Sequence, residues 1–293
     1  MLAGGQCILL RKGDYEATIV TVGAGMCAVR YQGRYISLPH DPDAVPLAHL
    51  GKVLIPWPNR IKNSQYTFKG VTYQLNTTEQ RTGCANHGFL AWKEWQIEEL
   101  STTSVTLKAY VIPTTGYPFL IESKAIYSVD DQGLSVTLTS TNIGRQDAPY
   151  GAGQHPYITC NCKVLDKCTL TFPCTEVWDV DDKLCPTQLV PASSMHLDFT
   201  QERSLNGVKI DHAFLNGGGP MSVTLKSQEM SVSLLTTAPY VQLFTAEKLD
   251  RKGLAVEPMS CPANAFNSGV GLTVLKPGDS HTLSYRLMAD LLL

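Results

Sequence analysis

The sequence predicts an all-β protein, most simply a large sandwich of antiparallel sheets. Apolar and polar residues alternate at period two in segment after segment, turn chemistry separates those segments, and no long stretch carries the 3.6-residue period of an amphipathic helix. Ser104-Val105-Thr106-Leu107-Lys108-Ala109-Tyr110-Val111 and Leu134-Ser135-Val136-Thr137-Leu138-Thr139-Ser140 are the clearest cases, each reading as a half-buried strand. The pattern recurs at Ser222 to Lys226, Ser231 to Leu235, Val241 to Thr245 and Ser280 to Leu287. Asp131-Gln132-Gly133, Gly217-Gly218-Gly219 and Pro277-Gly278-Asp279 supply turns. The opening segment through Val20 reads as a first strand, and a single helical turn is expected around Val45 to Lys52.

No Pro/Ser-rich linker divides the chain and no repeat of fixed period suggests a propeller, so residues 1–293 are expected to form one domain. The segment from Cys160 to Leu205 is less regular. Hydrophobic residues make up 43% and charged residues 17%, ordinary usage for a chain with a packed core. With 24 Lys+Arg against 26 Asp+Glu and no basic run, nothing offers nucleic acid or an anionic membrane its electrostatic footprint. No window approaches the roughly 18 consecutive apolar residues of a membrane span, and the start lacks the basic region of a signal peptide. A cytoplasmic location is therefore expected. Of nine cysteines, Cys160, Cys162, Cys168, Cys174 and Cys185 crowd one segment, but no C-x-x-C spacing occurs, so they read as reduced, partly buried thiols rather than as metal ligands.

Residues able to do chemistry appear where the strand pattern is interrupted. In Leu54-Ile55-Pro56-Trp57-Pro58-Asn59-Arg60-Ile61 two prolines stiffen the backbone, Trp57 offers a flat apolar face, and Asn59 and Arg60 place several donors side by side. That combination suits a sugar, although a structural salt bridge from Arg60 explains the segment equally well. His87 in Asn86-His87-Gly88-Phe89 lies beside a glycine that lets a ligand approach the backbone. His155 is framed by Gly151, Gly153 and Pro156, which fixes its position. Glu257 stands at the end of an apolar strand before Pro258, where desolvation raises a carboxylate toward the range of a general base; a structural ion pair with an arginine is the competing reading. Asp211, beside His212, and Gln242 within an apolar strand complete the set. With no G-x-S-x-G, Walker loop or H-E-x-x-H, what remains is acid/base chemistry without metal or cofactor.

The order of these motifs resembles the aldose 1-epimerases, or galactose mutarotases, nearly end to end. The series runs from Pro56-Trp57-Pro58-Asn59-Arg60-Ile61 through Asn86-His87-Gly88-Phe89, Gln154-His155-Pro156-Tyr157-Ile158, Ile210-Asp211-His212-Ala213-Phe214 and Val241-Gln242-Leu243-Phe244-Thr245 to Gly253-Leu254-Ala255-Val256-Glu257-Pro258. The resemblance implies a galactose mutarotase-like supersandwich, a small-molecule sugar as partner, and no cofactor. It implies that Glu257 is the base that removes the anomeric hydroxyl proton and His155 the acid that protonates the ring oxygen. Asn59, Arg60, His87, Asp211 and Gln242 would hold the remaining sugar hydroxyls.

The chain departs from the family pattern in three places. His155 is followed by Pro156-Tyr157-Ile158, closer to a divergent bacterial branch, and the glutamine strand ends Phe244-Thr245-Ala246-Glu247 instead of Y-T-G-N. The related hexose-6-phosphate mutarotases carry an arginine suited to phosphate after the first histidine, where this chain has Phe89-Leu90-Ala91-Trp92, which favours an unphosphorylated aldose. A phosphate-sugar mutarotase and a non-catalytic sugar-binding module on the same fold are the alternatives.

Overall fold

A computed structural model describes residues 3–292. The longest sheet has nine strands in the spatial order Gln96–Leu100, Ser104–Val111, Ile121–Asp130, Gly133–Asn142, Ser280–Leu291, Met230–Thr236, Met221–Lys226, Thr169–Thr171 and Arg203–Ser204. Every neighbouring pair in it is antiparallel. The alternation predicted for Leu134 to Ser140 is realised: Leu134, Val136 and Leu138 are buried with half-buried residues between them, and the neighbouring strand buries Ile121, Ser123, Ala125, Tyr127 and Val129 in the same way. That buried face closes over a second large sheet of eight strands, and side chains from both belong to one continuous apolar cluster. A four-stranded sheet of Cys7–Lys12, Tyr15–Val20, Gly25–Tyr31 and Arg34–Tyr35 packs against the nine-stranded one.

One local expectation is corrected and a second is met in a shorter form. The opening segment is a hairpin, Cys7–Lys12 against Tyr15–Val20, because Gly13 and Asp14 form a two-residue turn with Gly13 at φ 54. The segment around Val45 to Lys52 contains only the 3₁₀ turn Leu47–His49, in which Ala48 takes a left-handed conformation that no continuing helix tolerates. The one α-helix among the described residues, Ala265–Ser268, is a single turn, and no helix there is long and apolar enough to cross a membrane. All nine cysteines are thiols, with Cys160, Cys168, Cys174 and Cys185 packed inside.

Gln154 ties the two large sheets together directly beneath the residues of interest. Its side-chain oxygen accepts from the Tyr285 hydroxyl at 2.9 Å, and its amide donates to the Tyr127 hydroxyl at 2.8 Å and the Gly51 carbonyl at 3.0 Å. Tyr127 and Tyr285 belong to the nine-stranded sheet and Gln154 to the eight-stranded one. A fully satisfied polar network of this kind fixes one packing arrangement of the sheets.

Candidate active site

Asp211–Leu215, Tyr240–Phe244 and Leu254–Met259 run side by side in the eight-stranded sheet. Their register sets Gln242 opposite Glu257 on one neighbour and opposite Ala213 on the other. Because successive side chains alternate between faces, Asp211 shares a face with Ala213, and so with Gln242 and Glu257. Gln242 Nε2 donates to Asp211 Oδ1 at 2.7 Å. His155 enters from the short connection between Gly153–Gln154 and Tyr157–Ile158, two strands that both pair with Leu254–Met259. Its Nε2 lies 3.3 Å from Glu257 Oε1, and its ring stacks on Tyr157 with centroids 5.0 Å apart.

The opposite flank is built by the proline-stiffened loop. Arg60–Ile61 pairs with Ala85–Asn86, which brings Asn59 and His87 together. Both residues hold left-handed backbones, φ 55 and φ 61, locked by reciprocal bonds: His87 N–H to the Asn59 carbonyl at 2.9 Å and Asn59 N–H to His87 Nδ1 at 3.1 Å. A backbone amide only donates, so His87 Nδ1 is unprotonated and the neutral ring carries its proton on Nε2. The Arg60 guanidinium is gripped by Glu79 at 2.7 and 2.9 Å and reaches Asn59 Oδ1 at 3.2 Å. Gly88 is required by packing: a Cβ there would stand 2.2 Å from the Ile55 carbonyl oxygen.

Burial governs the electrostatics. Glu257 is 2% exposed and Oε2 has no hydrogen-bond partner among the described residues. Desolvation, reinforced by Asp211, pushes its pKa well above the usual carboxylate value, against the pull of Arg60. Desolvation likewise drives His155 well below an ordinary histidine, with His49 and Arg60 adding to the effect. Asp211 is raised by burial, which the Arg60 charge and the Gln242 bond only partly offset. One ligand atom from each of His87, His155 and Glu257 lies within 4.8 Å of the others, a spacing that invites comparison with a metal site. The donor set fits a cation poorly, because His87 Nδ1 is taken by the Asn59 amide and Nε2 bears the proton. It fits a polyhydroxylated ligand, which needs both donors and acceptors.

Asn59, Arg60, His87, His155, Asp211, Gln242 and Glu257 thus converge on one buried polar site. Some readings of their neighbours change. Trp57 is no ligand platform: it is 3% exposed, packs edge-on against Phe89 and Phe266 at centroid distances of 4.8 and 5.8 Å, and donates Nε1 to the Ala85 carbonyl. Gly88 admits the Ile55 backbone where a ligand had been expected. Arg60 does make the structural salt bridge, to Glu79, while still acting on Asp211 and Glu257 through space. Among the described residues Glu257 has no arginine partner; its one ionisable contact is His155. Two further residues at the site, His49 and Trp92, carry no sequence signal beyond their residue types. His49 sits 4.5 Å from His87 and 5.2 Å from Trp92 between ring centroids, and Trp92 is 46% exposed.

This all-β scaffold of two large antiparallel sheets, with Glu257 and His155 in buried contact, can be set beside known proteins. The sequence model of the aldose 1-epimerase family matches residues 6–288, and the chain belongs to that family. It is 48% identical over 290 residues to the uncharacterized protein YihR of Escherichia coli (strain K12), covering 98% of this chain and 94% of YihR. YphB of the same organism is 25% identical over 246 residues, or 81% of this chain and 82% of YphB. Among solved structures, the GalM/aldose epimerase homologue from C. elegans superposes with a TM-score of 0.88 at 20% identity, covering 98% of this chain and 99% of that one. Galactose 1-epimerase from Lactobacillus acidophilus NCFM gives 0.84 at 17% identity, with 97% and 94% covered. At these identities the structural likeness establishes the fold.

Proposed function

We propose that the protein is a cofactor-independent mutarotase of free aldoses, acting in the cytoplasm. The observation that carries this reading is the 3.3 Å separation of Glu257 Oε1 and His155 Nε2 in a buried site. The anomeric carbon of a pyranose bears both the hydroxyl that must lose a proton and the ring oxygen that must gain one. An acid and a base serving the same carbon therefore have to be close neighbours. In the state where the one proton the pair shares sits on His155, the Glu257 carboxylate takes the anomeric hydroxyl proton, the His155 imidazolium gives its proton to the ring oxygen, and the C1–ring oxygen bond breaks as the C1 carbonyl forms. The aldehyde rotates about its bond to C2. The ring then closes on the other face of the carbonyl, the C5 hydroxyl returning its proton to His155 while the new anomeric oxygen takes one from Glu257.

The other residues make this encounter reproducible. Arg60 held by Glu79, Gln242 bonded to Asp211, and the Nε2 proton of His87 offer oriented partners for ring hydroxyls, so that the anomeric centre rather than another carbon lies between acid and base. Polarimetry on freshly dissolved α-D-glucose and α-D-galactose, beside their 6-phosphates, tests the reading. Accelerated decay of rotation with the free sugars is the expected result, and decay at the buffer rate with every sugar overturns it.

A further inference from the structure

His49 is held in place by unusual means. Ala48 and His49 are consecutive non-glycine residues in the left-handed region, at φ 51 and φ 53, a conformation costing roughly 1 kcal/mol or more per residue. The surrounding backbone enforces it. The Tyr157 hydroxyl donates to the Ala48 carbonyl at 3.1 Å and Lys52 N–H to the His49 carbonyl at 2.9 Å. Gly51 N–H donates to the His155 carbonyl at 2.9 Å and His155 N–H to the Lys52 carbonyl at 3.0 Å, so the segment bearing His49 is laced to the one bearing the catalytic histidine. The result is a His49 ring that contacts His87 and lies parallel to His155 at a centroid distance of 6.4 Å.

Unlike most of the polar groups around it, His49 is uncommitted. Arg60, Asp211, Gln242 and His87 Nδ1 all have protein partners, whereas neither ring nitrogen of His49 has one among the described residues. Burial lowers its pKa to about 4, so at neutral pH it is an uncharged imidazole with one donor and one acceptor. Trp92 adjoins it with nearly half its surface open, while Trp57 and Trp95 are core residues. An indole beside a free imidazole supplies an apolar face for ring C–H groups and a hydrogen-bonding edge for a hydroxyl.

We propose that His49 is a further substrate-contacting residue that determines which aldose is accepted, hydrogen-bonding one ring hydroxyl remote from the anomeric carbon while Trp92 packs against the sugar's apolar face. This rests on the mutarotase reading. Packing alone does not account for the arrangement, since an apolar ring would pack against His87 and Trp92 without leaving two nitrogens unpaired beside the site.

The test is steady-state kinetics of wild type, His49→Phe and His49→Asn on the preferred aldohexose and its 2-, 3-, 4- and 6-deoxy derivatives. Phe keeps a ring without nitrogens, and Asn keeps a residue at ease in the left-handed region. For each folded variant KM on the parent sugar should rise about threefold to tenfold with kcat within about twofold, and the rise should vanish on the one deoxysugar that lacks the contacted hydroxyl. An equal rise on every sugar, or none in a folded variant, overturns the proposal; if His49→Phe does not fold, His49→Asn decides it alone. Should wild type catalyse no mutarotation, the functional reading fails separately, and sugar dissociation constants measured by calorimetry across the same series still decide whether His49 reads a hydroxyl.

Discussion

Glu257 stands opposite Gln242 in the sheet register, and the two side chains point into the site with different fates. Gln242 is bonded to Asp211, whereas Glu257 has one oxygen against His155 and the other free. Cross-strand neighbours thus divide the work: one is fixed to hold, the other left able to exchange a proton. Replacing Glu257 with Gln keeps the shape and removes the proton acceptor. The rate of catalysed mutarotation is expected to fall about 10² to 10⁴-fold with sugar affinity nearly retained. Polarimetry paired with calorimetric binding measures both, and a Glu257→Gln protein of wild-type activity removes Glu257 from the mechanism.

The same burial sets a pH dependence. Desolvation and Asp211 raise the Glu257 pKa well above 4.5, so lowering the pH protonates this base sooner than it would an exposed glutamate. Catalysed kcat/KM, corrected for the spontaneous reaction, should therefore decline on the acid side at a pH clearly above 4.5. A profile that stays flat down to that pH would mean that the base is some other group.

The strands and the candidacy of His155 and Glu257 were legible in the sequence for one physical reason, that each rests on a local pattern, or a break in one, visible over a few residues. Alternation in Leu134 to Ser140 survives because one face of the strand is buried and the other is not. His155 and Glu257 show up because polar residues beside prolines interrupt apolar strands. Trp57 misled because a tryptophan's burial depends on distant partners, here Phe266. His49 was invisible for the same reason: its position is set by hydrogen bonds to Tyr157 and by a backbone laced to His155, and its own neighbours in sequence suggest only a helical turn.

Gln154 gives the third expectation. Substituting Leu strands the Tyr285 hydroxyl and removes one of the two donors to the Gly51 carbonyl, which keeps the Met26 amide, at a cost of about 1 to 3 kcal/mol in stability. Because His155 is the next residue, kcat should fall as well. Urea unfolding with an unchanged slope, alongside polarimetry, measures both effects; a variant as stable as wild type would show that the sheets do not depend on this tether.

Lys52 provides a fourth, independent of the chemistry. Its side chain is 0% exposed, its ammonium bonds the Val22 carbonyl at 2.6 Å and lies 5.5 Å from the Trp92 ring, and no carboxylate among the described residues pairs with it. Burial lowers its pKa from 10.5 to about 8. Between those values the folded chain has lost the proton and the unfolded chain still binds it, so this residue makes stability rise with pH across that window, by about 3 kcal/mol. Below it the folded protein bears the full cost of the buried charge. Lys52→Met should remove the rise and be at least as stable at pH 7, judged by denaturant titrations at pH 7, 8, 9 and 10. An identical pH dependence in both proteins would show that Lys52 stays charged throughout.

The final expectation concerns charge on the substrate: free aldohexoses should be turned over with higher kcat/KM than their 6-phosphates. A phosphate ester carries close to two negative charges and needs arginine, lysine or a helix N-terminus to replace its water. Arg60, the guanidinium that acts on Asp211 and Glu257, is already held by Glu79 through two bonds, and a phosphate drawing it away would strand that carboxylate in a partly buried position. After His87-Gly88-Phe89 come Leu90 and Ala91, both buried, and then the uncharged Trp92. The single helical turn Ala265–Ser268 is too short to act as an anion site. Saturation curves on glucose and glucose 6-phosphate decide the matter: a preference for the ester of tenfold, about 1.4 kcal/mol, would mean that Arg60 exchanges Glu79 for phosphate when substrate binds.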